Sequence, residues 1–249
     1  MEGDIYMLLM KVYIALFLAY AILGWCMEVV VKFVEYKRFI NRGFLIGPYC
    51  PIYGMGALLI TFLLDRFKER PVVVFILGLL VASVLEYITS WAMEKMFHAR
   101  WWDYSNDKFN INGRVCLETM IPFGILGLLI IYILNPVLIG VCERMGNDLL
   151  CIIVSVLGGI FLIDGVISTV ILSTFKNDSE EFLAEDNTEE MSKKVKDILA
   201  KITWGQRRLI VAFPNLKHVG YKLKENAKEA LERYNKVIEQ IKDKYYSRG

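Results

Sequence analysis

Apolar residues run in long blocks separated by short polar stretches as far as residue 175, and charged sequence replaces them beyond it. A helix needs about 20 apolar residues to cross a hydrocarbon core of about 30 Å. Five blocks qualify, at about 12–31, 44–64, 72–92, 115–134 and 149–175, and together they predict an all-α polytopic membrane protein. The first is too long for the apolar region of a signal peptide and lacks a small-residue cleavage site before Lys32, so it reads as a retained helix. The second is the least regular. In NRGFLIGPYCPIYGMG, Pro48 and Pro51 break the backbone ladder, and Gly43, Gly47, Gly54 and Gly56 permit close approach or unusual dihedrals. Pro51 suits the first turn of a helix running to Leu64, whose free N–H groups make a positive end. A kinked packing helix with Gly-x-Gly as its contact face accounts for the same residues.

Polar positions inside the blocks carry the next information, because an ionisable group in a span is costly. Glu28 stands four residues before Lys32 near the end of the first helix, a spacing that allows a pair. In the third block Ser83, Glu86, Tyr87, Ser90 and Glu94 recur at helical spacing and form one polar stripe. Arg114 and Glu118 are spaced i, i+4 at the start of the fourth helix, which suggests a pre-formed ion pair, and Asn135-Pro136 is expected to end that helix. The fifth carries Asp164 among Gly158, Gly159, Gly165 and Ser168. Two readings of Asp164 stand: an interhelical hydrogen-bonding group, or an ion or proton site.

The connection EKMFHARWWDYSNDKFNINGRVCLE, residues 94–118, is richer than a tether requires. It places Trp101, Trp102 and Tyr104 among Arg100, Asp103, Asn110 and Arg114. Such aromatics sit at the headgroup level, so a folded, partly buried segment is expected at one membrane face.

Composition agrees with the pattern: 55% of residues are hydrophobic and the mean hydropathy is +0.42, too apolar for a soluble domain of this length. The net charge of +2 becomes useful only when divided by region. Loops 32–43 and 93–114 are more basic than the loops on the other side, and sixteen Lys and Arg follow residue 175. By the positive-inside rule the N-terminus lies outside and the C-terminus in the cytoplasm of a multi-pass protein of the cell membrane. Glu28, Asn41, Arg42, Gly47, Pro48, Pro51, Tyr53, Glu86, Glu94, Arg114 and Glu118 then fall at one membrane level with the Trp-Trp loop, as a candidate ligand pocket. Arg42, Arg100, Arg114 and the helix end at Pro51 suit an anion, while the acids, which outnumber these arginines, suit a cation or protons equally.

Beyond the spans, residues 176–192 read as an acidic linker and 193–249 as a basic, amphipathic helical tail. Leu223, Ala227, Ala230, Tyr234, Ile238, Ile241 and Tyr245 mark its apolar face. The tail lies on anionic lipid headgroups, or packs as a helical hairpin on itself or a partner. No nucleic-acid partner is expected. The five cysteines fit no metal-ligand spacing and reduced thiols are expected, so neither metal nor cofactor is called for. No established catalytic set is present, and His98 and His218 are far apart.

The runs NRGFLIGPYCPIYGMG, EYITSWAMEK, RWWDYSNDKFNINGR and QRRLIVAFPNLK resemble the ABC-transporter type IV, or CmpB-like, permease family, over roughly residues 10–217. The resemblance implies a permease subunit. The chain has no G-x-x-x-x-G-K-[ST] phosphate loop, so an ATPase would be a separate chain, and so small a permease is expected to dimerise. Two alternatives remain beside transport: an intramembrane enzyme or lipid-headgroup binder, and a scaffold recruiting a partner through its tail.

Overall fold

The computed structural model describes residues 2–97, 99–183, 204–213 and 217–218, with scattered positions between 232 and 243. It is an all-α membrane protein. Its helices are α1 (Glu2–Tyr36), α2 (Pro51–Leu64), α3 (Pro71–Phe97), α4 (Leu117–Leu129), α5 (Asn135–Met145), α6 (Asn147–Leu183) and α7 (Trp204–Ala212). Two two-residue strands, β1 (Ala99–Arg100) and β2 (Lys217–His218), pair antiparallel. The amphipathic helix expected over 223–245 falls largely outside the described residues, as does the linker beyond Leu183.

Among the described residues, four helices are long and apolar enough to cross a membrane: Tyr6–Tyr36, Pro71–Phe97, Leu117–Met145 and Asn147–Thr174. The second expected span, 44–64, is the exception. Its helix is the 14-residue α2, about 21 Å long, because the chain before Pro51 follows non-helical bends. Pro51 does occupy the first turn, as its missing N–H allows.

The fourth span also departs from expectation. Asn135-Pro136 does not end it; the helix continues to Met145 through a π-turn at Ile130–Leu134. Proline has no N–H to give and its ring crowds the preceding turn. The π-turn absorbs this by shifting the Asn135 N–H to the Ile130 carbonyl, five residues back.

The chain forms two compact units. The first comprises Met1–Met27, Gly47–Thr89 and Tyr104–Asp164. Its core joins Leu16 and Tyr20 of α1, Ala57, Ile60 and Leu64 of α2, Val74 of α3, and Ile130 and Ile131 of the π-turn. Gly78 and Gly127 let α3 and α4 meet backbone to backbone: a Cβ on either would lie 3.3 Å from the other's Cα. At the buried centre, the Tyr20 hydroxyl donates to Asn135 Oδ1 (2.7 Å) and Asn135 Nδ2 donates to Thr61 Oγ1 (3.0 Å), tying three helices together.

The second unit comprises Glu28–Ile46, Ser90–Asp103 and Gly165–Gly249. Here α7 is no free tail: Gly205, Gln206, Leu209, Ile210, Val211 and Ala212 are buried. Arg208 donates to the carbonyls of Gly43 (3.3 Å) and Phe44 (2.9 Å), which anchors α7 to the loop after α1.

Candidate functional site

The polar stripe of α3 faces inward. Ser83, Glu86, Ser90 and Glu94 are buried, whereas Leu80, Val84, Ile88 and Trp91 on the same helix are exposed. In the first unit the Tyr104 hydroxyl approaches Glu86 at 3.5 Å, Asn112 Nδ2 donates to the Tyr87 hydroxyl (2.8 Å), and the Arg114 guanidinium lies over the Tyr87 ring at 5.7 Å. The loop that delivers these groups is built by Asn110. Its Nδ2 donates to the carbonyls of Ser105 (3.3 Å) and Asp107 (2.8 Å), and its Oδ1 accepts from Gly113 N–H (3.0 Å).

Arg114 and Glu118 are not the expected helical pair. The helix begins only at Leu117, capped by Cys116 and Thr119, so Arg114 precedes it in the non-helical turn and is buried. Glu118 is exposed in the first turn of α4, with no ion pair among the described residues.

A second cluster in this unit surrounds Asp164. Its buried carboxylate accepts from Gly47 N–H at 2.6 Å, and Tyr49 lies edge-on to Phe161 with ring centroids 5.6 Å apart. Glycine at 47 leaves room for both groups: a Cβ there would sit 2.7 Å from Tyr49 and 2.8 Å from the Asp164 carboxylate, so one of those side chains would have to shift. Pro48 is exposed, and Tyr53 packs against α1 at Gly24, where a Cβ would come within 2.3 Å of its ring.

The second unit gathers the remaining charged residues. Arg42 Nε donates to Glu28 at 3.2 Å, and its guanidinium also bonds the Ala212 carbonyl at the end of α7 and covers the Phe213 ring at 5.4 Å. Glu28 therefore pairs with Arg42 from the following loop, and Lys32, its expected partner, bonds Glu35. Arg100 is held by Glu94 at 3.1 Å and Asp103 at 3.5 Å. Trp101, 2% exposed, stands edge-on to both Phe97 and Phe213, with the Phe213 centroid 4.8 Å away. Trp102 is half-buried. Asn41 Nδ2 closes its own loop on the Ile46 carbonyl at 2.7 Å, and Ile46 N–H donates to Ser168 of α6 at 3.2 Å.

The two arginines are thus matched by three carboxylates, and Arg42 also lies against the Phe213 ring. An added anion competes for these guanidinium groups with the carboxylates and, at Arg42, with the Ala212 carbonyl.

Sequence reasoning left two groups without their partners. Arg208 and Phe213 stand in the quoted run QRRLIVAFPNLK, but nothing local links them to Arg42 or Trp101. Tyr20, Thr61 and Asn135 left one usable signal, an asparagine within an otherwise apolar stretch beside a proline.

Residues 15–169, well over half of the chain, match the model of a family described as "Putative ABC-transporter type IV". The match is shorter than the resemblance expected over 10–217, and it leaves α7 outside. No curated protein and no solved structure matches the chain.

Proposed function

The chain belongs to this ABC-transporter type IV family, and from that premise we propose that it is a membrane-embedded permease subunit driven by a separate ATPase chain. The observation that supports this reading is the buried stripe Ser83–Glu86–Ser90–Glu94 in the spanning helix α3. Carboxylates in a span are retained against a cost of about 2.5–3.5 kcal/mol or more each, and they mark solute and ion pathways. Glu86, with Tyr104, Tyr87 and Arg114 around it, forms the solute-contacting part; Asp164 is the second candidate, for an ion or proton. The N-terminus lies outside and the C-terminus in the cytoplasm.

The test is purification of the tagged full chain from native membranes in mild detergent. An ATP-hydrolysing chain should accompany it, and Glu86→Gln should keep that partner while lowering the coupled hydrolysis at least tenfold. Purification without any ATPase sinks the transporter reading.

A second reading is favoured by Arg42 and Arg100, whose side chains keep 19% and 23% of their exposure. A phosphate-bearing lipid headgroup there exchanges with Glu28 or Asp103 for the guanidinium. Identification of tightly retained anionic lipid, lost in Arg42→Ala, would support headgroup binding over transport.

A further inference from the structure

The loop before α4 holds an aromatic residue out of the protein at a backbone cost. Phe109 is 80% exposed, and its φ is +54°, a left-handed conformation that a bulky side chain rarely adopts. The strain is not slack in a loose loop. Asn110 makes three bonds to its own turn, Tyr104 N–H donates to the Gly113 carbonyl (2.8 Å), and Ile111 N–H donates to the Val115 carbonyl (2.9 Å). Ile111, two residues on, is also exposed at 52%, and Lys108 is exposed beside them. Among the described residues, nothing compensates for presenting these side chains.

The position of the loop identifies what does. Asn112 bonds the Tyr87 hydroxyl, Arg114 covers the Tyr87 ring, and Tyr104 reaches Glu86. Tyr87 stands about ten residues short of the end of α3, or about 15 Å along its axis. The loop therefore runs back down the side of α3. On that helix Val84 and Ile88, which flank Tyr87, are exposed apolar residues, and so are Leu117 and Ile121 at the start of α4. These are lipid-facing positions at the level where the loop is fastened. Helix α3, at 27 residues, is about 40 Å long and exceeds a hydrocarbon core of about 30 Å by about 10 Å, so the Tyr87 backbone, about 15 Å from the helix end, lies about 5–10 Å inside the core's edge and its hydroxyl reaches toward that edge.

We propose that the turn carrying Phe109 and Ile111 is an interfacial anchor, with both side chains inserted at the boundary between acyl chains and headgroups and Lys108 reaching the lipid phosphates. Aromatic and aliphatic side chains partition to this zone, and a lysine stem snorkels from it. The anchor fastens the loop that carries Tyr104, Asn112 and Arg114 to the bilayer surface. It does not depend on what the protein transports.

The test places spin labels at Phe109→Cys, Ile111→Cys and Asn106→Cys in the full chain lacking the exposed Cys26, in nanodiscs of phosphatidylcholine and phosphatidylglycerol. An Ile88→Cys label supplies the lipid-facing reference. Labels at 109 and 111 should be relaxed by oxygen over a water-soluble nickel chelate, with a ratio severalfold above that at Asn106 and close to that at Ile88. Ratios like that at Asn106 would place the turn in water and overturn the anchor. Shielding from both reagents would overturn it in favour of a protein contact. Two separate label sites guard against local disruption at either one.

Discussion

Asp164 accepts a hydrogen bond from the Gly47 N–H at 2.6 Å, a contact that asparagine keeps and alanine loses. A buried amide left without its acceptor costs about 1–3 kcal/mol. Asp164→Ala should therefore lower stability by about that amount, whereas Asp164→Asn should cost under about 1 kcal/mol; thermal unfolding in detergent measures both. The same pair separates the two readings of Asp164. A purely structural carboxylate leaves activity intact in Asp164→Asn, while an ion or proton site loses activity with stability unchanged. At this scale the residue types were legible and their partners were not. Glu28 was visible as an ionisable group in a span, yet it pairs with Arg42 across a loop and not with Lys32 one turn away.

Span four shows the same limit for a whole helix. Its apolar run continues past Pro136, and continuation is supported by the bonds of Asn135 to Tyr20 and Thr61 and by Leu138 and Ile139 packing on the core. Ending the helix there would cost those bonds; continuing it costs one π-turn. Asn135→Leu strands the Tyr20 hydroxyl and one hydrogen-bonding position of Thr61, and should destabilise by about 1–3 kcal/mol. Adding Tyr20→Phe should cost less than the sum of the two single changes, because the hydroxyl no longer needs its acceptor. Additive unfolding energies would show that the network carries no shared stability. Helix α2 errs the other way: its apolar stretch is long enough to span, but Gly47–Pro48 and the turn to Cys50 spend the first residues on bends.

For the molecule as a whole, α2 and α3 form a hairpin joined at 65–70, and α3 is itself a full span. The proposed orientation puts this connection outside and residue 249 in the cytoplasm. A reporter active only in the cytoplasm should give signal when fused after Gly249 and none when inserted at 65–70. The reverse pattern would invert the orientation read from the Lys and Arg distribution, and signal at both sites would make α2–α3 a different kind of passage. Pro136, an outer-loop site by sequence, is unsuitable for such a fusion because it lies inside span four.

The all-α membrane class, the first, third and fifth spans, the inward polar stripe of α3 and the start of α2 at Pro51 were decided by the sequence alone. Each depends on local quantities: the length of an apolar run, a periodicity near 3.6, or a proline's missing N–H. The tertiary structure decided what those quantities leave open. Arg42 meets the carbonyl of Ala212 across 170 residues, and Arg208 meets those of Gly43 and Phe44 across more than 160. Asn135 becomes a helix interior because Tyr20 and Thr61 happen to face it. Such pairings follow from which surfaces the packed helices bring together, and a guanidinium or an amide accepts any suitably placed partner. The sequence supplies the groups, and packing chooses among the partners available to each.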